Sequence, residues 1–312
     1  MATPRSLLVD PEQPLCYHLV SRCVRRAWLC GHHDGRAYAH RKRWIEQRLM
    51  QLAEAFSVDV LAFAIMSNHF HIVVYFDPRA AQRWTNHEVA ERWLRAFPVP
   101  QAKRGEAIEQ LLTQPERLQR YRQRLGSLSA FMQHLKQPIA VRINQEDQVK
   151  GHLFEQRFYS GALLDERAVL TAMRYVDLNP FRAQIAETLQ DAEHTSIQRR
   201  MRALAHAPER MDQYLEALSF GDQSRDAAPP IRRPHRAMPR VTLRQYIALL
   251  EQTMAHATTD TASLPQQSRA TRWHQAAGLL RKQQRAYGHT SSLDNWLHKR
   301  KFRPLEKAFL TN

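Results

Sequence analysis

The first half of the chain contains three segments with the apolar patterns of β-strands. Residues 15–30 are rich in β-favouring side chains interrupted by arginines, which predicts one strand followed by a bend. Two apolar runs, residues 58–66 and 69–76, come next and are separated by the polar pair Ser67 and Asn68. A short polar break between two apolar runs predicts a β-hairpin.

Apolar residues at helical spacing dominate much of the remaining chain. Residues 35–56 and 86–97 each predict an amphipathic helix. The pattern returns in residues 126–144, where Pro138 is expected to kink the helix or split it in two, because proline lacks the backbone N–H. Residues 86–125 include a long polar stretch rich in arginine and glutamine, which we interpret as a helical insertion.

The second half of the chain begins with an extended segment, residues 152–164. Asp165 is suited to cap the next helix, because a carboxylate accepts hydrogen bonds from the first backbone N–H groups. That helix must end before Pro180. Residues 224–240 are rich in proline and arginine and predict a linker. The remainder, residues 241–312, predicts a small basic helical module.

Composition indicates a nucleic-acid partner. The 312 residues suffice for two domains. Lys and Arg number 46 against 30 acidic residues, and the net charge of +16 is typical of a protein that binds a polyanion. With 9 glycines, the chain disfavours a turn-rich β-sandwich or a glycine-looped nucleotide enzyme. We find no apolar stretch of membrane-span length and no signal-peptide core, so we expect a cytoplasmic protein without a membrane partner.

The three cysteines give no sign of a disulfide framework. Cys16, Cys23 and Cys30 are spaced seven residues apart, which matches neither a disulfide pattern nor a structural zinc site. We therefore expect reduced thiols. A metal site formed by Cys30 with His32 and His33 is the less favoured alternative, since zinc sites use tighter paired spacings.

His69 and His71 form the first candidate site. Residues i and i+2 of a strand share a face, so the two imidazoles would project together, about 7 Å apart, while Phe70 faces the other side. Such a pair can bind one divalent metal ion. With 16 histidines in the chain, about one such pair is expected by chance, so the spacing leaves ordinary buried histidines as the alternative.

Tyr175 and Asn179 form the second candidate site. Positions i and i+4 of a helix lie on one face, so a phenol and an amide would point toward a common site. The alternative is a half-buried tyrosine followed by an asparagine that ends the helix.

Together the two candidate sites resemble one family. Three motifs carry the likeness: MSNHFHIVV (66–74), LFEQRF (153–158) and AMRYVDLNPFRA (172–183). They are similar to the REP-associated tyrosine transposases, in the single-tyrosine branch of the HUH endonuclease superfamily (IS200-like transposases). HTSI (194–197) and VTLRQYIALLE near the C-terminus are also similar. The chain departs at Ser67, where proline is more frequent, and at Phe154, where tryptophan is usual.

The resemblance implies an α+β fold. Its core would be a ferredoxin-like antiparallel sheet with flanking helices, here followed by a basic helical C-terminal extension. The catalytic domain would span residues 1–200, a helical or linker segment residues 201–240, and the basic module residues 241–312.

The resemblance also implies the chemistry. Tyr175 matches the nucleophile, His69 and His71 match the metal-binding histidines, and Asn179 matches the polar residue that completes the metal site. The metal would be Mg²⁺ or Mn²⁺, which tolerate imidazole, amide and water ligands. Cleavage would give a 5′-phosphotyrosine link and a free 3′-hydroxyl, so that the strand can be rejoined without ATP.

Basic residues close to aromatic ones are the expected DNA contacts, because such mixtures clamp phosphates and stack bases. These expected contacts are Arg22, Arg25, Arg26, Arg41, Lys42, Arg43, Arg157, Arg232 and Arg233. The adjacent aromatic residues are Trp28 and Trp44. The alternative is a solvated helix face with a core tryptophan. Glu155 and Arg157 either order the site or the DNA, or form a structural ion pair.

The sequence thus predicts a metal-dependent single-stranded DNA endonuclease and strand transferase that recognises hairpin or repetitive-element DNA and serves DNA transposition and recombination. The protein would be cytoplasmic and nucleoid-associated, as a monomer or homodimer. Two alternatives stay open. One is a domesticated hairpin-binding protein without transposition activity, and the other is a metal-dependent phosphoesterase that uses activated water.

Overall fold

The computed structural model describes residues 4–24, 30, 32–33, 36–155, 157–218, 239–257 and 269–300. The strands are β1 (Leu15–Arg22), β2 (His32–His33), β3 (Arg36–Ala37), β4 (Val58–Ile65), β5 (His69–Phe76), β6 (Tyr159–Leu163) and β7 (Ala286–Tyr287). The α-helices are α1 (Arg5–Leu8), α2 (His40–Ala53), α3 (Asn86–Ala96), α4 (Arg104–Leu112), α5 (Pro115–Leu125), α6 (Leu128–Glu146), α7 (Glu166–Asp177), α8 (Asn179–Arg182), α9 (Ser196–Leu204), α10 (Leu243–Ala257), α11 (Arg269–Arg281) and α12 (Thr290–Lys299). Across these ranges, no helix has the length and apolar character that crossing a membrane requires.

A five-stranded sheet, with strand order β4-β5-β1-β6-β7, is the centre of the fold. The first four strands of that order pair antiparallel, as expected. The last strand, β7, pairs parallel with β6, so the sheet is mixed, which differs from the antiparallel expectation. A parallel partner needs a long crossover, and here more than a hundred residues of helices and connections separate the two strands. β2 and β3 form a separate two-stranded ribbon.

The predicted hairpin is confirmed. β4 and β5 pair from Val58 opposite Phe76 to Ile65 opposite Phe70, with a β-bulge near Val60. The bulge adds one residue to β4, so the residues that face the apolar core are Val58 and Val60 before it and Phe63 and Ile65 after it. The first predicted strand is shorter than expected: β1 ends at Arg22, and residues 25–29 lie outside the described ranges.

Strand alternation sorts the side chains of the sheet onto two faces. We call the side that carries Phe70 and Ile72 the apolar face, and the side that carries His71 and Val73 the histidine face. On the apolar face, α2 and α6 cover the sheet with fully buried aliphatic and aromatic side chains such as Leu49. The helices α3 to α5 extend the same core, so residues 86–125 are helical, as predicted, and are packed against the domain.

The histidine face is covered by α7 together with C-terminal helices. Val169 and Met173 of α7 share a core with Tyr246 of α10 and Trp273 of α11. α12 packs on the apolar face. The described elements of residues 241–312 thus contribute side chains to both cores and supply β7.

Pro138 does not split its helix. α6 runs unbroken from Leu128 to Glu146 with the proline inside it. Proline removes the N–H that would bond the carbonyl of His134, but the Nε–H of Arg48 donates to that carbonyl at 3.1 Å. The expected split was wrong because a side chain from α2 replaces the lost backbone donor.

The start and end of α7 agree with the sequence prediction. Asp165 caps the helix, accepting a hydrogen bond from the backbone N–H of Ala168 at 2.8 Å. The helix ends at Asp177, before Pro180, which occupies the first turn of α8. In the predicted extended segment, only β6 is a strand, and Phe154 adds an isolated bridge to β1 through Cys23.

All three cysteines are buried free thiols, as expected. Burial raises the pKa of Cys30 to about 12, so this thiol is protonated at neutral pH. The side chains of His32 and His33 lie outside the described part of the structure.

Candidate active site

The structure brings the predicted tyrosine and both predicted histidines together on the histidine face. The ring centre of Tyr175 lies 5.6 Å from that of His71, with the planes at 87°. The rings of His71 and His69 lie 4.8 Å apart, also nearly perpendicular. A phenol from α7 and two imidazoles from β5 thus form one cluster.

Local sequence explains how each side chain reaches this cluster. Alternation along β5 sends Phe70 and Ile72 into the apolar core, so His69 and His71 project to the opposite face. α7 packs across that face through its apolar stripe, which also buries Tyr175 to 6% exposure.

Asn179 meets Tyr175 across a helix boundary. The two residues were expected on one helix, but α7 ends at Asp177 and Asn179 begins α8. The side chain of Asn179 still hydrogen-bonds Tyr175, a contact that partly opposes the rise in the pKa of Tyr175 caused by burial. The break falls at Leu178, and Pro180 lies in the first turn of α8, where its missing N–H costs no helical hydrogen bond.

The imidazoles of the cluster are neutral at neutral pH. Burial, with a smaller contribution from Arg22, lowers the pKa of His69 to about 4. Burial also places the pKa of His71 well below its ordinary value. Neutral imidazole is the form that can donate a nitrogen lone pair to a metal ion.

Each of the two rings has one nitrogen occupied. Nδ1 of His69 donates to the amide oxygen of Asn68 at 2.6 Å. Nδ1 of His71 lies 2.9 Å from Nε2 of a third histidine, His18 on β1, and shares a hydrogen with it. Among the described residues no hydrogen bond engages Nε2 of either ring, which leaves Nε2 as the nitrogen available to a ligand.

Arginines surround the phenol. Burial raises the pKa of Tyr175, while the guanidinium groups of Arg182, Arg22 and Arg281 act in the opposite direction. The guanidinium carbon of Arg182 lies 4.9 Å from the centre of the Tyr175 ring. This concentration of positive charge suits an anionic substrate such as a phosphate.

The donors fit an open metal site of few protein ligands. Within the described ranges, no three or more His, Cys, Asp or Glu side chains are grouped so as to hold a metal ion. The two neutral imidazoles of His69 and His71 are donors of a suitable kind, and the sequence prediction adds the amide oxygen of Asn179. Mg²⁺ and Mn²⁺ accept such a set when water and phosphate oxygens complete their coordination.

The expected DNA contacts divide into three groups. Arg22, Arg43 and Arg157 are exposed, and Lys42 is half-buried. Arg41 is fully buried, so its prediction as a DNA contact was wrong. The members outside the described part of the structure are Arg25, Arg26, Arg232 and Arg233, together with the aromatic Trp28.

Arg41 is engaged in the protein interior. Its guanidinium bonds Glu146 at 2.6 Å and also Asp147, both at the end of α6, and stacks on Tyr38. Two carboxylates already satisfy this cation, so it is not available to a phosphate. Trp44 is likewise covered by a neighbouring guanidinium, that of Arg142, 3.6 Å from its ring centre.

Three residues of the site region were missed by the sequence prediction. His18 pairs with His71, and Arg182 stacks on Tyr175. Asp177 is fully buried and accepts hydrogen bonds from the hydroxyl of Ser196 and, at 2.7 Å, from the hydroxyl of Tyr246. The position of His18 on the histidine face of β1 was available from strand alternation, but its partner was not.

Comparison with known proteins finds one distant likeness. A solved structure described as a REP-associated tyrosine transposase bound to a REP hairpin aligns with 72% of this chain and 99% of its own, at 10% identity and a TM-score of 0.37. No family model matches the chain, and no curated protein matches it.

Proposed function

We propose that this protein is a metal-dependent single-stranded DNA endonuclease and strand transferase, of the HUH type, with Tyr175 as its nucleophile. One observation carries the proposal: the phenol of Tyr175 packs against His71 and beneath the guanidinium of Arg182. A nucleophile, metal-competent imidazoles and a phosphate-binding cation are the parts that phosphoryl transfer needs.

The element order of the core supports the same proposal. Six elements of the core occur in the order strand-helix-strand-strand-helix-strand, namely β1, α2, β4, β5, α6 and β6. The β2-β3 ribbon and the helices α3 to α5 are inserted between them. With β1 and β5 at the centre and both helices contributing to the apolar core, we interpret this arrangement as ferredoxin-like. The strand that carries the histidines is thus a central one, where packing holds their direction.

The phenol oxygen of Tyr175 attacks the scissile phosphorus, and the phenol proton passes through solvent to the departing 3′ oxygen. The bond to the 3′ oxygen breaks, giving a free 3′-hydroxyl and a 5′-phosphotyrosine. Attack by a 3′-hydroxyl on that link reverses the step and releases the phenol, so strands are exchanged without an external energy source.

The polar side chains around Tyr175 have two further roles, phosphate binding and metal binding. Arg182 and Arg22 bind the phosphate and favour the phenolate against the effect of burial. His69, His71 and Asn179 would hold the Mg²⁺ or Mn²⁺. Such a cation polarises the phosphate and neutralises charge that develops on its oxygens.

The proposed substrate is single-stranded DNA that forms a hairpin. The net charge of +16 favours a polyanion, and exposed cations such as Arg22 and Arg157 lie on β1 and just before β6. The solved structure noted above holds a REP hairpin, which makes hairpin DNA the first substrate to test.

The test uses end-labelled hairpin oligonucleotides incubated with the full chain and Mn²⁺, followed by denaturing electrophoresis. We expect a band retarded by covalently attached protein. Tyr175→Phe removes the attacking oxygen and should abolish this band, and His69→Ala should reduce it at least a hundredfold. Tyr159→Phe is the matched control, because it removes a hydroxyl from a neighbouring buried tyrosine whose bonds go to Tyr287 and the carbonyl of Gln284.

The same gel separates the alternatives. Cleavage that survives Tyr175→Phe without a retarded band would identify a water-using phosphoesterase. Hairpin binding without any cleavage would identify a DNA-binding protein. Either result overturns the proposal.

A further inference from the structure

His18 lies in the middle of β1. Its imidazole contacts the imidazole of His71, one of the proposed metal ligands. His18 is fully buried, and its backbone lies opposite Val73 on one side and Gly161 on the other. Val20 is the residue directly opposite His71, so His18 is the diagonal neighbour of His71 on the same face. Their rings lie 5.1 Å apart with planes at 19°, joined by the 2.9 Å contact between Nε2 of His18 and Nδ1 of His71.

Packing alone does not account for a histidine at position 18. Its second nitrogen, Nδ1, is buried and has no hydrogen-bond partner among the described residues. The hydroxyl of the neighbouring Tyr159 is engaged by Tyr287 and by the carbonyl of Gln284. A buried polar atom left unpaired costs stability, and an apolar ring of similar shape would avoid that cost.

The shared hydrogen decides what His71 can bind. When Nδ1 of His71 donates it to His18, Nε2 of His71 keeps a lone pair. When Nε2 of His18 donates it, the hydrogen of His71 sits on Nε2, which then cannot bind a cation. The two arrangements carry the same charge, but only the first leaves Nε2 of His71 able to bind a cation.

We propose that His18 is a positioning residue: it accepts a hydrogen bond from Nδ1–H of His71 and so presents the Nε2 lone pair of His71 toward the site. The inference rests on the proposed function for the identity of what binds there, a divalent cation. Residues that orient a metal-binding histidine in this way typically change metal affinity 10- to 100-fold when they are removed.

The first test needs no metal. In the metal-free full-length protein, labelled with ¹⁵N-histidine and held near pH 7, the ring ¹⁵N chemical shifts report which nitrogen of His71 carries the hydrogen. We expect Nδ1–H. His18→Phe keeps a ring of similar shape but removes the acceptor, and should shift His71 toward Nε2–H. His18→Gln places an amide oxygen near the former Nε2 and should restore Nδ1–H.

The second test measures the affinity for Mn²⁺ alone from the EPR signal of the free ion. His18→Phe should bind Mn²⁺ about 10- to 100-fold more weakly than the unchanged protein, and His18→Gln should recover most of the loss. The matched control is His134→Phe. It removes a half-buried histidine with an unpartnered ring nitrogen, on α6 at the apolar face, and should leave Mn²⁺ affinity unchanged.

The outcomes separate this inference from the function on which it rests. An Nε2–H hydrogen on His71 in the unchanged, metal-free protein overturns the role of His18, and this measurement needs no variant that could fail to fold. Equal Mn²⁺ affinity for His18→Phe and His134→Phe overturns it as well. If the unchanged protein binds no Mn²⁺ yet shows Nδ1–H on His71, the orienting role stands and the proposed metal site falls.

Discussion

The two faces of the central sheet are built from alternate residues of the same strands, yet they differ in chemistry. On the apolar face, Phe70 and Ile72 of β5 meet a continuous hydrocarbon core beneath α2 and α6. On the histidine face, His71 meets a second imidazole and the phenol of Tyr175. The comparison shows how one strand can serve stability and chemistry at once, because a shift of one residue moves a side chain to the other face.

The two faces also differ in what each contact requires. Apolar packing is not directional, so the core under α2 and α6 needs only matching volume. On the histidine face, a buried polar group is stable only when a partner of suitable geometry reaches it. Asp177 satisfies this with three donors, namely the hydroxyls of Ser196 and Tyr246 and the backbone N–H of Ile197.

The largest effect is expected from a cavity on the apolar face. Phe131 of α6 is fully buried and packs edge-on against Phe56 at 5.6 Å. Phe131→Ala should lower the free energy of unfolding by about 3–5 kcal/mol, measured by urea denaturation, while the folded protein keeps its Mn²⁺ affinity. Val141→Ala on the exposed side of the same helix, within about 0.5 kcal/mol, is the control. Loss of Mn²⁺ binding in folded Phe131→Ala would contradict the separation of the two faces.

A smaller effect is expected from the buried carboxylate of the histidine face. Asp177→Asn removes the negative charge and one accepting oxygen, and should cost about 1–3 kcal/mol of stability. Because Asp177 lies two residues after Tyr175, the yield of the covalent DNA adduct should also fall. Tyr246→Phe, which removes one of the three donors, should cost about 1 kcal/mol. An unchanged adduct yield in Asp177→Asn would show that this network stabilises α7 without positioning its tyrosine.

The smallest effect is a difference in pH dependence. Burial lowers the pKa of His134 to about 4, against about 3 for His18 and about 4 for His69. The unfolded chain protonates these rings below about pH 6.5 and the folded protein does not, so the stability they contribute is complete above that pH and is lost as the pH falls toward 4.

The histidine face carries more of these neutral rings, so it should account for more of the acid sensitivity. His134→Phe should flatten the loss of unfolding free energy between pH 7.5 and 5 by roughly 1 kcal/mol, given the partial exposure of its ring. His18→Phe should flatten it more. Denaturation in urea at several pH values checks this order, and a larger effect at His134 would reverse the comparison.

Local patterns accounted for the elements that bear the site. The hairpin was predictable from two apolar runs around Ser67 and Asn68, and the start of α7 from Asp165. Alternation along β5 placed His69 and His71 on one face, and the resemblance in residues 172–183 singled out Tyr175. Each of these inferences depends on neighbours within a few residues, where backbone geometry leaves few alternatives.

Tertiary contacts decided the rest. The burial of Arg41 depends on carboxylates about a hundred residues away, and the continuity of α6 through Pro138 depends on Arg48 of α2. The parallel addition of β7 and the filling of both cores by C-terminal helices also join distant segments.

The amino-acid sequence by itself therefore determined the hairpin strands, the helix cap and the chemical types available to the site. Only the tertiary structure decided that His18 bonds His71 and that Arg182 covers Tyr175. The physical reason is the separation along the chain over which each kind of interaction acts. Dihedral preferences and side-chain periodicity act along a few neighbouring residues, whereas the partner of a buried charge or imidazole is set by whichever distant segment the folded core brings against it.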